Sequence, residues 1–310
     1  MTFKRSALSL CLLLTACGPL ANARAERIEA RNPPQGQMVQ VGRATVHAEI
    51  SGRGPDVVLI HGASGSTRDM EDLARRLSPR YRVIRFDRPG LGYSSDLGKD
   101  GNSPLVQADY LRAAATQLRV KDPIVLGHSY GGAVAMAWAL EDPGHTRAVV
   151  LLAGAVLPWD GGLDWLSRFA STPVGEATAE PFVAAFMPDW ALNRVVKNLF
   201  QPNDPPPDYV ESTDAELALR VDTIRANLRQ LNALKAHLWL MAPHYRDLHM
   251  PIEIVHGLAD GVVDYKIESL QMTALPNVRV TAAPGVGHML HHVIPEEAVA
   301  AVDRAAARAK

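Results

Sequence analysis

The 310-residue chain predicts an α/β fold: a mostly parallel central sheet with helices on both faces and a helical cap inserted after the sixth strand. Three observations carry this expectation. Short, near-continuous apolar runs alternate with helical segments, the pattern of parallel strands buried on both sides. The alternation stops over residues 155–245, where no strand pattern is visible, and then resumes. Composition agrees: 47% of residues are hydrophobic and 21% charged, the balance of a globular domain.

Taken in order, residues 38–50 alternate loosely and break at Ser51-Gly52-Arg53-Gly54, which fits two edge strands or a hairpin. Residues 56–60 form an apolar strand ending in His61-Gly62, and 69–77 an amphipathic helix. Residues 82–86 form the next strand, ending in Asp87-Arg88-Pro89-Gly90, followed by a helix over 107–118. Residues 123–126 form a strand running into Gly127-His128-Ser129, and 131–140 a helix of small and apolar residues. A strand over 147–152 precedes the insertion. Residues 155–245 hold helical stretches, Trp159, Trp165, Trp190 and Trp239, and the cluster Pro205-Pro206-Pro207. Strands over 251–255 and 278–282 alternate with helices over 265–272 and 296–307. The core is therefore expected in residues 38–154 and 246–310, with the cap in 155–245.

The N-terminus reads as a targeting segment. Lys4 and Arg5 precede an apolar run over 7–14 that is too short for a permanent membrane span. Leu14-Thr15-Ala16-Cys17 resembles the lipobox of bacterial lipoproteins. That resemblance implies cleavage after residue 16, a lipid on Cys17, export, and anchoring to the cell envelope. Gly18, rather than Asp, after the cysteine implies the outer membrane in a Gram-negative source. An ordinary secretory leader cut near Ala21 or Ala23 is the alternative. Residues 17–37, rich in Ala, Arg, Asn, Pro and Gln, read as a flexible tether. The only cysteines are Cys11 and Cys17, so the folded body is expected to hold no disulfide and no cysteine metal site. The net charge of −1 without a like-charged block argues against a nucleic-acid partner.

Gly127-His128-Ser129-Tyr130-Gly131 fits the G-x-S-x-G pattern of a nucleophile at a sharp strand-to-helix turn. The turn holds the serine in a strained conformation, and its neighbours must be small. A serine hydroxyl needs a nearby base. Asp264 is expected to cap the start of a helix. The run His288-Met289-Leu290-His291-His292 invites a metal, but no carboxylate stands in the right local pattern. No metal is expected, and His291 and His292 are expected at the surface or on a pocket wall. The aromatics with Met187 and Met241 suit either an acyl pocket or the cap's own core.

From residue 38 to the C-terminus the chain resembles the α/β-hydrolase family. The resemblance rests on five segments in the family's order: His61-Gly62-Ala63, Asp87-Arg88-Pro89-Gly90-Leu91-Gly92-Tyr93-Ser94, Gly127–Gly131, His256-Gly257-Leu258-Ala259-Asp260, and Gly287-His288. It implies Ser129 as nucleophile, Asp260 as acid and His288 as base. It also implies the backbone N–H groups of Ala63 and Tyr130 as an oxyanion hole, where loss of one donor costs about 2.7–4 kcal/mol of barrier. Asp87 is structural in this family, His128 fills the elbow, and His61 packs beside the oxyanion turn. The expected function is hydrolysis of a small or medium carboxylic ester, without a cofactor. Serine at the elbow argues against the dehalogenase and epoxide hydrolase branches, which use Asp there. Hydrolysis of an amide, lactone or carbon–carbon bond, or cofactor-free haloperoxidase (perhydrolase) chemistry, uses the same triad. A lipid-anchored binding module without turnover is the alternative of another class.

Overall fold

In a computed structural model of the chain, β1 (Gln37–Val41) and β2 (Ala44–Ser51) form the expected antiparallel hairpin, with Val39 opposite Val46. The backbone is described for residues 2–162 and 165–309, and side chains from Cys17 onward except Leu166. The side chains of the expected leader therefore lie outside the described residues.

Before the hairpin lies α1 (Thr2–Arg31). After it come β3 (Asp56–Ile60), α2 (Glu71–Leu77), β4 (Arg82–Phe86) and α3 (Pro104–Gln117). Then follow β5 (Ile124–His128), α4 (Tyr130–Glu141) and β6 (Ala148–Leu152). The cap comprises α5 (Trp165–Ala170), α6 (Pro173–Phe186), α7 (Asp189–Phe200), α8 (Tyr209–Ser212) and α9 (Val221–Met241). The chain ends with β7 (Ile252–Gly257), β8 (Val278–Ala283), α10 (Leu290–Val293) and α11 (Pro295–Arg308). Between β7 and β8 the expected helix is a π-helical turn, Lys266–Leu270, followed by a 3-10 turn, Gln271–Ala274.

One eight-stranded sheet runs in the order β1-β2-β4-β3-β5-β6-β7-β8. It is antiparallel from β1 through β2 to β4 and parallel beyond. Period-two alternation sorts each strand between two cores. Val58, Ile84, Val125 and Val149 face α3, α4 and α9. Val57, Leu59, Leu126 and Val150 face α2 and α11. Every residue of β3, β5 and β6 is buried, which explains why these strands read as unbroken apolar runs.

The N-terminal segment departs from the expected tether. Residues through Arg31 are helical, and only residues 32–36 lack regular structure before β1. Ala, Arg and Glu between residues 21 and 31 are strong helix formers, and the cap supplies a surface for them. Ile28 is fully buried with Leu192, Leu217 and Leu219. The Arg24 guanidinium donates to the Met187 carbonyl at 2.7 Å, and Arg31 pairs with Glu216 at 2.8 Å. Among the described residues, no helix is long and apolar enough to cross a membrane.

Candidate active site

Ser129 stands between the last residue of β5 and the first turn of α4, with φ +53° and ψ −122°. A non-glycine residue in this region carries about 1–3 kcal/mol of strain and persists only if its surroundings hold it. They do: the Ser129 N–H donates to the Leu152 carbonyl at 3.0 Å. Its own carbonyl accepts from Gly132 at 2.9 Å and Ala155 at 3.0 Å. The glycines on either side are required by close approach. A Cβ at Gly127 would overlap the Gly131 carbonyl, and one at Gly131 would overlap the Ile60 carbonyl.

Asp260 and His288 lie on the turns after β7 and β8, whose parallel pairing brings the two turns to the same sheet end. His288 Nδ1 is 2.8 Å from Asp260 Oδ2, and both side chains are buried. Asp260 Oδ1 accepts from the N–H groups of Val262 at 2.8 Å and Val263 at 2.9 Å. His256 Nε2 lies 3.3 Å from Oδ2. Burial alone would raise the Asp260 pKa, but the hydrogen bonds from His256 and His288 outweigh it and hold the carboxyl well below its ordinary range. An ionised Asp260 keeps the hydrogen of His288 on Nδ1, which leaves Nε2 as the acceptor. The imidazole of His128, the residue before Ser129, lies 4.9 Å from that of His288, and its Nε2 donates to the His288 carbonyl at 3.1 Å. Among the described residues, the Ser129 hydroxyl is not itself hydrogen-bonded. The turn bearing Ala63 abuts the serine: a Cβ at Gly62 would lie 3.1 Å from Ser129 Cβ. The Tyr130 N–H belongs to the first turn of α4, where no intrahelical acceptor exists.

The other expected residues fall as follows. Asp264 is exposed and accepts from the Lys266 N–H at 2.7 Å. Asp87 is buried and accepts from the Thr67 N–H at 2.6 Å and from the Tyr93 N–H at 2.8 Å, tying three loops together. Cys17 is buried on α1, in the segment that packs against the cap. Met187 packs in the small cluster with Ile28, and Met241, the last residue of α9, packs in the core under the sheet's α3–α4 face. Three of the cap tryptophans are not part of the cap's own core: Trp165, Trp190 and Trp239 are 71%, 70% and 63% exposed.

His291 and His292 are not at the surface. Both donate to Asp69, at 3.3 and 2.9 Å, and the Tyr209 hydroxyl donates to the same carboxylate at 2.8 Å. The carboxylate missing from the local sequence thus comes from the 3-10 turn Thr67–Met70. Ligand-capable atoms of Asp69, His128 and His291 lie within 4.8 Å of one another, but the two Asp69 oxygens are already shared among three donors. Burial would raise the Asp69 pKa, and the charge and hydrogen bond of His291 and His292 instead hold it well below its ordinary value. Sequence reasoning also missed Asn203 on the cap. Its side chain donates to the Gly285 carbonyl at 3.1 Å and accepts from the Gly287 N–H at 2.9 Å, bracketing the loop that carries His288. No local pattern marks either residue.

Comparison with known proteins agrees with the fold. The α/β hydrolase fold profile matches residues 55–295. The chain is 25% identical over 289 residues to the pimeloyl-[acyl-carrier protein] methyl ester esterase of Nitrosomonas europaea, covering 84% of this chain and 99% of that one. It is 32% identical over 254 residues to the polyketide synthase ThaQ of Burkholderia thailandensis, covering 78% of this chain but only 11% of that much longer protein. Among solved structures, the enol-lactonase of Burkholderia xenovorans LB400 superposes with a TM-score of 0.69 at 16% identity, covering 87% of this chain and all of that one. The chain belongs to the α/β hydrolase fold family and is a hydrolase of that family.

Proposed function

We propose that the chain cleaves a small or medium carboxylic ester through an acyl-enzyme on Ser129. The observation that carries this reading is the 2.8 Å contact between His288 Nδ1 and Asp260 Oδ2 beside a serine at φ +53°. In the first half-reaction His288 Nε2 takes the hydroxyl proton as Ser129 Oγ attacks the carbonyl carbon. The oxyanion rests on the N–H groups of Ala63 and Tyr130, and the same proton passes to the departing alcohol. In the second half, water loses a proton to His288 as it attacks the acyl carbon, and that proton passes to Ser129 Oγ as the acyl–serine bond breaks and the acid leaves. Asp260 stabilises the imidazolium in both halves. A relative named as a methyl ester esterase supports the ester class. The test is labelling by a fluorophosphonate probe, then hydrolysis of p-nitrophenyl esters of rising chain length. Ser129→Ala should lose labelling altogether. His288→Ala should hydrolyse the esters at least roughly a thousandfold more slowly. A folded wild-type protein that neither labels nor hydrolyses would refute the reading.

We also propose export and lipid attachment at Cys17, supported by the basic residues, the short apolar run and the four-residue match that precede it. In a bacterial host, the wild type should incorporate an alkyne-tagged fatty acid and sediment with membranes, and Cys17→Ser should do neither. Equal incorporation by both would rule out this attachment site.

A further inference from the structure

Arg88 is a buried cation whose guanidinium makes no ion pair among the described residues. It follows β4 in the turn Asp87-Arg88-Pro89-Gly90 and is fully buried, and the adjacent Asp87 carboxylate turns instead toward His61, 3.9 Å from Nε2. Its guanidinium is spent on neutral acceptors. Nε donates to the His61 carbonyl at 3.1 Å and Nη2 to the Gly62 carbonyl at 3.0 Å. Nη1 donates to Gln107 Oε1 at 3.0 Å and to Gln230 Oε1 at 2.7 Å. The guanidinium carbon also lies 4.2 Å from the centre of the Tyr130 ring. Burial draws the pKa down to about 10, which leaves the side chain cationic at neutral pH.

The Arg88 backbone N–H settles the state of the neighbouring imidazole. It donates to His61 Nε2 at 3.0 Å, so that nitrogen is bare and His61 Nδ1 carries the hydrogen, which it gives to the Gly62 carbonyl at 2.9 Å. Burial holds the His61 pKa down at about 4, so the ring is neutral. One carbonyl oxygen therefore accepts from two side chains, one of them charged. That carbonyl and the Ala63 N–H are two ends of a single peptide group. Donation to the oxygen draws electron density from the nitrogen and makes its N–H a stronger donor. α9 of the cap holds the arrangement from above. Gln230 also donates to the Pro89 carbonyl at 2.8 Å, and Asn227, one turn earlier on the same face, accepts from the Ser64 N–H at 2.9 Å.

We infer that Arg88 is a positioning residue of the oxyanion hole, whose un-neutralised charge fixes and polarises the Gly62–Ala63 peptide, with Gln230 of the cap holding its guanidinium in place. The inference rests on the Ser129 esterase reading. A side chain that only pinned the β4 turn would gain nothing from remaining unpaired. Desolvating a cation is costly, and the guanidinium meets that cost with neutral acceptors alone, two of them glutamines that also donate, Gln230 to the Pro89 carbonyl at 2.8 Å and Gln107 to the Gly101 carbonyl at 2.7 Å. The missing counter-ion leaves the field directed at the peptide and, through it, at the site where negative charge develops.

The test exploits that difference on the full-length enzyme. Gln230→Glu and, separately, Gln107→Glu place a carboxylate against Nη1, and Gln230→Met and Gln107→Met lose the same amide donation without adding a charge. Relative to its methionine control, each glutamate variant should lower kcat on p-nitrophenyl butyrate by about two- to tenfold, the weakening of one polarised donor bond, with KM nearly unchanged. Affinity for a boronic acid, which forms a tetrahedral anion on the serine, should fall by the same factor. Arg88→Lys should keep part of the activity that Arg88→Met loses. Wild-type kcat and boronate affinity in both glutamate variants, or values no lower than in the methionine controls, would overturn the inference, because neutralising the guanidinium would then leave the oxyanion hole unaffected. A wild type inert to ester and fluorophosphonate would instead sink the esterase reading beneath it.

Discussion

Four donors converge on the Asp260 carboxylate: two backbone N–H groups on Oδ1, and His288 and His256 on Oδ2. His256 is placed by its own partners. Its Nε2 also faces the Val263 carbonyl at 3.0 Å, which can only accept, and Nδ1 meets the Ser269 hydroxyl at 2.5 Å. The acid is thus fixed in position and charge before any substrate arrives. Asp260→Asn should keep the fold but disturb the tautomer of His288. Steady-state kinetics on p-nitrophenyl butyrate should show kcat lowered by roughly 10⁴ with KM little changed. A loss of less than about tenfold would mean that another group orients the base. At this scale the candidate triad residues were legible because each sits in a short segment of recognisable pattern. Asp69, Asn203, Gln107 and Gln230 were not, because a single polar residue in a helix or loop looks the same whether it faces water or a buried partner.

At the scale of elements, the strands and the elbow follow from local pattern, since runs of Val, Ile and Leu between glycine-bearing turns have few other uses. The segment after β7 does not. Its expected helix is a π turn, and that turn carries Glu268 inward to accept from the N–H groups of Val156 and Leu157, both at 2.6 Å, where the chain leaves β6 for the cap. Burial, reinforced by the charge of Asp264, raises the Glu268 pKa from 4.5 to about 7, against the lowering effect of those two bonds. Tyr245, whose own pKa burial raises, also faces it. A carboxyl whose pKa rises on folding holds its proton more tightly in the native state. Its contribution is therefore most favourable in acid and is lost as pH climbs from about 4.5 through about 7. The loss amounts to about 3 kcal/mol at most. Urea unfolding of Glu268→Gln between pH 5 and 8 should show this part of the pH dependence flattened. An unchanged slope would show that Glu268 is not its source.

At the scale of the molecule, the division into sheet and cap was readable where the strand rhythm broke. How the cap is fastened was not. It is tied to the sheet end by Asn203 against the His288 loop, by Tyr209 against Asp69, by Gln230 against Arg88, and by Asn227 against the turn bearing Ala63. It is also clasped by α1, through Ile28 and the pairs Arg31–Glu216 and Arg220–Glu29. Composition read that N-terminal stretch as a tether because its few apolar residues cannot build a core alone. Docked beside the cap, the same stretch buries Cys17, Ala21 and Ile28 and is tied down by Arg24 and Arg31.

By itself the sequence determined the sheet, its insertion point, the elbow and the candidate triad, because strand burial and tight turns impose local constraints that residue types must meet. Only the tertiary structure decided the partner of His291 and His292, the counter-ion-free setting of Arg88, the inward turn of Glu268 and the docking of α1. Each of these depends on which distant side chain fills a buried space, and the energy of a buried polar contact is set by that neighbour rather than by the residues next to it in the chain.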